Sequence, residues 1–299
     1  MKHIIDPHLH FFELNQGHYQ WLREGNAPFW PDKAKLCHNF HEDALMLSQG
    51  IQLAGFVHIE AGFDNDQPWR EIAWLESSCT LPFKAVAGID LTLNEDAFID
   101  QIEALTNHQS VVGCRHILDE EACALLSQTK VQNNLAYLAS QQLSFDLQMS
   151  LSDLPAIYKL LEILKVLPTL SLIINHAGWP PIETNTDNEQ QASLAWQEWQ
   201  TGLVALSKFE QCAIKCSGWE MAERTYKESW QLSVINTCLE AFGDKRVMLA
   251  SNFPLVLFSK GYDDLWQSYL SLNNKTQLNQ EQITALTHSN AAYWYKLKV

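Results

Sequence analysis

Short apolar runs alternate along the chain with stretches whose apolar residues recur at helical spacing. Residues 3–10, 53–60, 85–91, 111–118, 143–149, 170–176, 212–217 and 246–253 are the apolar runs. Such runs, rather than alternating ones, predict strands buried on both faces, as in a parallel sheet. Between them, residues 68–78 place Trp69, Ile72, Ala73 and Leu75 on one helical face, and Asn94 or Asp96 caps a helix running to Leu105. Residues 128–142 and 152–167 also read as helices, the second opened by Ser152 or Asp153 with Pro155 in its first turn. Residues 192–209 and 228–242 complete the series, and 260–272 and 280–297 close the chain as helices.

Eight strands separated by crossovers, with no linker, predict an α/β fold: a single (β/α)8 TIM barrel over residues 1–299. The competing architecture, an open doubly wound sheet, normally places a glycine-rich phosphate turn after its first strand. Only Gly17 lies near that strand, and no GxGxxG or GxxxxGK[ST] occurs. Two connections exceed simple joints. One is a long aromatic loop after the first strand, residues 11–40, with Phe11, Phe12, Tyr19, Trp21, Phe29 and Trp30. The other, residues 177–189, holds Trp179, Pro180 and Pro181. Such segments either wall a pocket or form a satellite core.

Of 299 residues, 46% are hydrophobic and 18% charged, which suits a large buried core and excludes disorder. Twenty Lys and Arg against 35 Asp and Glu leave a formal charge of −15, so no nucleic-acid backbone or anionic membrane is an expected partner. No long apolar run predicts a membrane span, and the start lacks a secretory pattern. Seven scattered cysteines, an odd number, are no disulfide framework. The expected compartment is the cytoplasm, and a homodimer is compatible with these features.

Chemistry concentrates where the apolar runs end. His8 and His10, His58 and Glu60, Asp90, Arg115 and His116, Gln148, Asn175 and His176, Lys215 and Ser217, and Asn252 all fall near C-terminal strand ends. In a barrel those ends share one mouth, where active sites sit. His8 and His10 are two apart, so a strand sends both side chains to one face, able to share a metal ion or grip a substrate oxygen. His176 ends the sixth run. Arg115 inside an apolar strand needs an anion, either an internal carboxylate or a substrate carboxylate or carbonyl. Lys215 poses the same question. His58 and Glu60 alternate on one face as ligands, orienters or an internal pair. Cys37, His38 and His41 form only half a zinc pattern, and no G-x-S-x-G elbow occurs.

With these residues in hand, the chain resembles the amidohydrolase-related TIM-barrel hydrolases, in the branch of sugar-lactone (fuconolactonase-like) and pyrone-dicarboxylate lactonases. The likeness spans the whole chain. It rests on the run from Asp6 to Phe12 with Tyr19 to Leu22, Val57 to Ala61, Val112 to His116, Asn175 to Pro180, Ile214 to Gly218 and Arg246 to Pro254. The resemblance implies hydrolysis of a lactone or related carboxylic ester of a sugar acid or similar small molecule. It implies catalytic roles for His8, His10, Arg115, His176 and Asn252, and substrate contacts from His58, Glu60, His116, Gln148, Lys215 and Trp179. Relatives usually end the eighth strand in Ser-Asp-Trp-Pro, whose aspartate is the general base. Here Ser251-Asn252-Phe253-Pro254 stands there, and an amide cannot take a proton. His176 or Glu60 then becomes the candidate base, with Asn252 positioning the water. No cofactor is expected to be obligatory. A single weakly held zinc would use His8, His10 and His176, or Glu60. Two alternatives follow from the same resemblance: a metal-dependent decarboxylase or lyase, or a ligand-binding barrel with impaired catalysis.

Overall fold

The computed structural model describes residues 1–182 and 189–299. Part of the second long connection, residues 183–188, lies outside the described residues. The strands are β1 (Lys2–Leu9), β2 (Ile51–Ile59), β3 (Phe83–Gly88), β4 (Val111–Ile117), β5 (Ser144–Gln148), β6 (Leu172–Ile174), β7 (Cys212–Cys216) and β8 (Val247–Leu249). They lie in one sheet in the order of the sequence. This is the (β/α)8 arrangement of a TIM barrel. The strand order never reverses, as it would at the switch point of a doubly wound sheet.

The α-helices between the strands are α1 (Trp69–Ser78), α2 (Glu95–Thr106), α3 (Ala122–Leu126), α4 (Thr129–Ser140), α5 (Leu154–Val166), α6 (Glu189–Ser207), α7 (Trp219–Ala222) and α8 (Glu228–Phe242). Six of these fall where the amphipathic stretches do, and the two short ones, α3 and α7, were not read from the sequence. The chain closes with α9 (Tyr262–Leu270), α10 (Gln280–Thr284) and α11 (Asn290–Trp294), the last two joined by a π-helical turn. Asn94 caps α2, its side chain accepting the Ala97 N–H at 3.0 Å. Asp153 does the same for α5 through Ala156 at 3.1 Å, ahead of Pro155. Among the described residues, no helix is long and apolar enough to cross a membrane.

Two compact units make up the chain. The first holds residues 1–89, 103–112 and 248–299. Within it β1 pairs with β2 and β2 with β3, all parallel. The segment after β8 returns to β1 through a parallel bridge between Leu9 and Phe253. The loop after β1 forms a satellite aromatic cluster: Phe12 lies 5.4 Å from Tyr19, 5.8 Å from Trp21 and 5.7 Å from Phe40 between ring centroids. The second unit holds residues 90–102 and 113–247. There β4, β5, β6 and β7 pair in sequence, with Arg115 opposite Asp146, Asp146 opposite Ile173, and Ile174 opposite Ile214.

Candidate active site

In the first unit, the run from Asp6 to His10 ends β1. His8 and His10 are both buried, with ring centroids 5.1 Å apart and planes at 76°. The His-x-His spacing therefore places two imidazoles edge to face. His10 is fixed by its backbone neighbours: Nδ1 donates to the Ile59 carbonyl at 2.7 Å and lies 3.2 Å from that of Glu60. With the Nδ1 proton committed, Nε2 is the basic nitrogen of the neutral ring. It faces the Asn252 carboxamide, whose Oδ1 lies 3.3 Å away. That contact is a hydrogen bond when the amide turns its N–H groups to the ring, or when the ring is protonated.

Asn252 sits in the left-handed region at φ 60, which asparagine tolerates better than most residues. Its backbone N–H donates to the His8 carbonyl at 2.8 Å. Beneath it, Asp6 accepts the Ser251 N–H at 3.1 Å and the His8 N–H at 3.2 Å. Full burial pushes the Asp6 carboxyl up to about 6, against the lowering effect of the bonds from Ser251, His8 and Tyr262.

His58 has both ring nitrogens engaged. Nδ1 accepts the Phe11 N–H at 3.3 Å, and Nε2 donates to Glu71 Oε1 at 2.9 Å. The same Glu71 oxygen accepts the Ala61 N–H at 2.9 Å. His58 thus links the ends of β1 and β2 to helix α1. Glu71 itself escaped the sequence reading, since nothing marks one carboxylate on an amphipathic helix. Glu60 follows β2, half-buried, with its side chain against Gly88.

In the second unit, Arg115 is buried and donates through Nη1 to Gln148 Oε1 at 2.9 Å. Gln148 and Trp179 both hydrogen-bond the carboxyl of Asp119, which burial pushes above its ordinary range. Asp119, at φ 34, also gave no sequence signal. Asp119, Glu120, Ser150, Asp153 and Trp179 line a cavity of about 560 Å³. His176 follows β6 and its Nδ1 lies 3.1 Å from Ser217 Oγ. The Trp179 ring packs against it, tilted by 32° with centroids 4.7 Å apart. Residues 176–179 all have positive φ, at 53, 51, 67 and 56, which turns the chain sharply out of β6.

Lys215 is an internal partner. Its Nζ donates to Asp146 Oδ2 at 2.6 Å, and both side chains are fully buried. Of the two partners the sequence left open for this cation, the contact seen is with an internal carboxylate. His116 is half-buried, and its Nδ1 accepts the Leu91 N–H at 3.4 Å.

The first unit offers two imidazoles and the Asn252 amide, a weaker ligand than the carboxylate it replaces. Among the described residues no three His, Cys, Asp or Glu side chains gather as a metal set. The two imidazoles of the first unit supply two of the three protein donors that a catalytic zinc site takes besides water.

Residues 5–297 match the amidohydrolase family. The L-fucono-1,5-lactonase of Burkholderia multivorans is 24% identical over 305 residues, covering 98% of this chain and 96% of its own. An amidohydrolase of known structure from the same species, with HEPES bound in one crystal and zinc in another, superposes with a TM-score of 0.79 over 99% of both chains, at 22% and 21% identity. A probable 2-pyrone-4,6-dicarboxylic acid hydrolase from Acinetobacter baumannii, with citric acid bound, superposes at 0.66 with 16% identity, covering 98% of this chain and 99% of its own. At these identities the structural likenesses speak for the barrel, while the match over nearly the whole chain speaks for its descent: the chain belongs to the amidohydrolase family.

Proposed function

We propose that this chain opens a lactone, or hydrolyses a related carboxylic ester of a small organic acid, by direct attack of water. The observation that carries this reading is His10: its Nδ1 proton is committed to Ile59, and its basic Nε2 is turned to a carboxamide at 3.3 Å. The base is accordingly assigned to His10 rather than to His176 or Glu60. Asn252 holds the water; His10 Nε2 takes its proton as the oxygen bonds to the carbonyl carbon. When the tetrahedral intermediate collapses, the ring C–O bond breaks, and the imidazolium returns the proton to the leaving oxygen. The products are a carboxylic acid and a hydroxyl on one molecule.

Arg115 and His176 enter the proposal through their chemistry and the fold class, in which strand C-termini carry the reacting groups. The Arg115 guanidinium suits a carbonyl oxygen or carboxylate. His176, backed by Ser217, suits a polar group of the ligand. Gln148 and Trp179 are proposed ligand contacts beside Asp119. His8 packs edge-on against His10 and holds its orientation. The proposed steps use the chain's own side chains and need no obligatory metal. A small-molecule ligand agrees with the lactonase relative and with the HEPES and citrate in the similar structures.

The test is a screen of aldono- and dicarboxylate lactones by pH indicator, with and without chelator. The expected result is acid release that survives chelation and falls by about 10²- to 10⁴-fold in His10→Ala. Carbon dioxide release from aromatic acids, or turnover abolished by chelator and restored by zinc, overturns the mechanism. Turnover seen only after Asn252→Asp favours a binding barrel.

A further inference from the structure

Asn175 is one of the most buried polar side chains of the second unit, with 1% of its surface exposed. Neither its Oδ1 nor its Nδ2 has a hydrogen-bonding partner among the described residues. A buried amide left this way is costly, so the position calls for a reason. The backbone is ordinary there: φ −81 and ψ 150, with the N–H donating to Leu147 at 2.9 Å and the carbonyl accepting from Gly178 at 2.9 Å. Only the side chain lacks partners.

The register says which face it occupies. Ile173 pairs with Asp146 and with Ala213, so Asn175, two residues on, shares their face of the sheet with Gln148 and Lys215. On that face, Arg115 is bonded to Gln148, and Lys215 is bonded to Asp146. Asn175 is thus set in a row of charged and amide groups that satisfy one another, and it alone of that row makes no bond. The next residue is His176, which carries Trp179 packed against its ring, and Trp179 lines the cavity with Asp119.

We propose that Asn175 is a specificity-determining residue whose carboxamide both donates to and accepts from a hydroxyl group of the ligand. An amide matches a hydroxyl, which offers a proton and lone pairs together; a ligand with acceptors alone leaves Oδ1 unsatisfied. The cavity that Trp179 lines also carries Asp119, Glu120 and Asp153, carboxylates that accept hydroxyl protons and repel added carboxylates. The inference rests on the lactone reading and sharpens it: the ligand carries hydroxyls on the part that meets Asn175.

The experiment compares the full-length chain with Asn175→Ala and Asn175→Asp, on aldonolactones and on deoxy analogues lacking one hydroxyl each. The readouts are acid release, calorimetric binding of the corresponding aldonates, and the melting temperature. The expected result is a loss of about tenfold or more in kcat/KM or affinity in Asn175→Ala toward the hydroxylated compounds. For one deoxy analogue the loss vanishes. The melting temperature holds or rises, because the variant removes an amide that bonds to nothing in the protein. A lower melting temperature with unchanged discrimination overturns the proposal, as does an equal loss on every compound. Aldonate binding that depends on Asn175 without turnover by the parent chain keeps this inference and sinks the hydrolytic one. No turnover and no binding by the parent chain sinks both.

Discussion

Asp6 is bonded twice to Ser251: its Oδ2 accepts the Ser251 hydroxyl at 2.5 Å and its Oδ1 the Ser251 N–H at 3.1 Å. One carboxyl so joins the end of β1 to the turn after β8, on either side of which His8 and Asn252 stand. Ser251 Oγ in turn accepts the Phe253 N–H at 2.9 Å. The left-handed Asn252 is held from both flanks.

That carboxyl makes stability depend on pH with a definite sign. Burial raises Asp6 from 3.8 to about 6 in the folded chain. A group raised by folding contributes stability that is fully present below 3.8 and is lost as pH rises through about 6. The gap corresponds to about 3 kcal/mol. Urea midpoints of the parent chain should therefore fall between pH 4.5 and pH 7 relative to those of Asp6→Asn, which has no proton to lose. Parallel pH profiles for the two proteins would remove Asp6 as the cause.

Glu71 supports the site from behind. It accepts from His58 Nε2 and from the Ala61 N–H, and the carbonyl of Ile59 between those residues pins His10. Glu71→Ala leaves two buried donors without an acceptor and is expected to lower stability by about 2–5 kcal/mol, with a fall in turnover. Glu71→Gln keeps an oxygen at the same place and should recover most of both. Denaturant titration beside the lactone assay checks it; an unaltered Glu71→Ala would show that the strut is dispensable.

The barrel was legible because a strand buried on both faces is apolar nearly throughout, and all eight runs fall on strands. β6 and β8 are the shortest, three residues each, although their runs extended further. The reason is backbone conformation: the chain leaves the ladder just before His176 and Asn252, both at positive φ, and hydrophobicity does not report that. That His8, His10 and Asn252 meet was legible because they stand at strand ends. Glu71, Asp119 and Asp146 were not. Each acquires its meaning from a partner on another element, and a sequence pattern registers spacing within one element only. The same limit left the partner of Lys215 open between a substrate group and an internal carboxylate.

Lys215 and Asp146 form a pair with no access to solvent. Removing one member strands the other charge in the interior, so Lys215→Met alone should cost about 3–5 kcal/mol. Adding Asp146→Leu should restore much of that loss, since a buried pair and an apolar pair of similar volume are often close in stability. The double-mutant cycle by urea denaturation measures the coupling. Additive losses would show that the two charges do not depend on each other.

Gly218 bears directly on His176. It adopts φ +71, and a Cβ there would lie 2.5 Å from His176 Nδ1, the atom that meets Ser217 Oγ. Gly218→Ala thus adds backbone strain of about 1–2 kcal/mol and drives the imidazole off its hydrogen bond. Ser217→Ala removes the hydroxyl but leaves the ring its space. If His176 acts on the ligand, Gly218→Ala should depress kcat/KM by tenfold or more, and Ser217→Ala by less. A core defect alone would lower the melting temperature of Gly218→Ala and leave the kinetics of the folded fraction intact. Kinetics normalised to folded protein separate the two: full turnover from Gly218→Ala would take His176 out of the reaction, because no imidazole can hold its present place beside that added methyl.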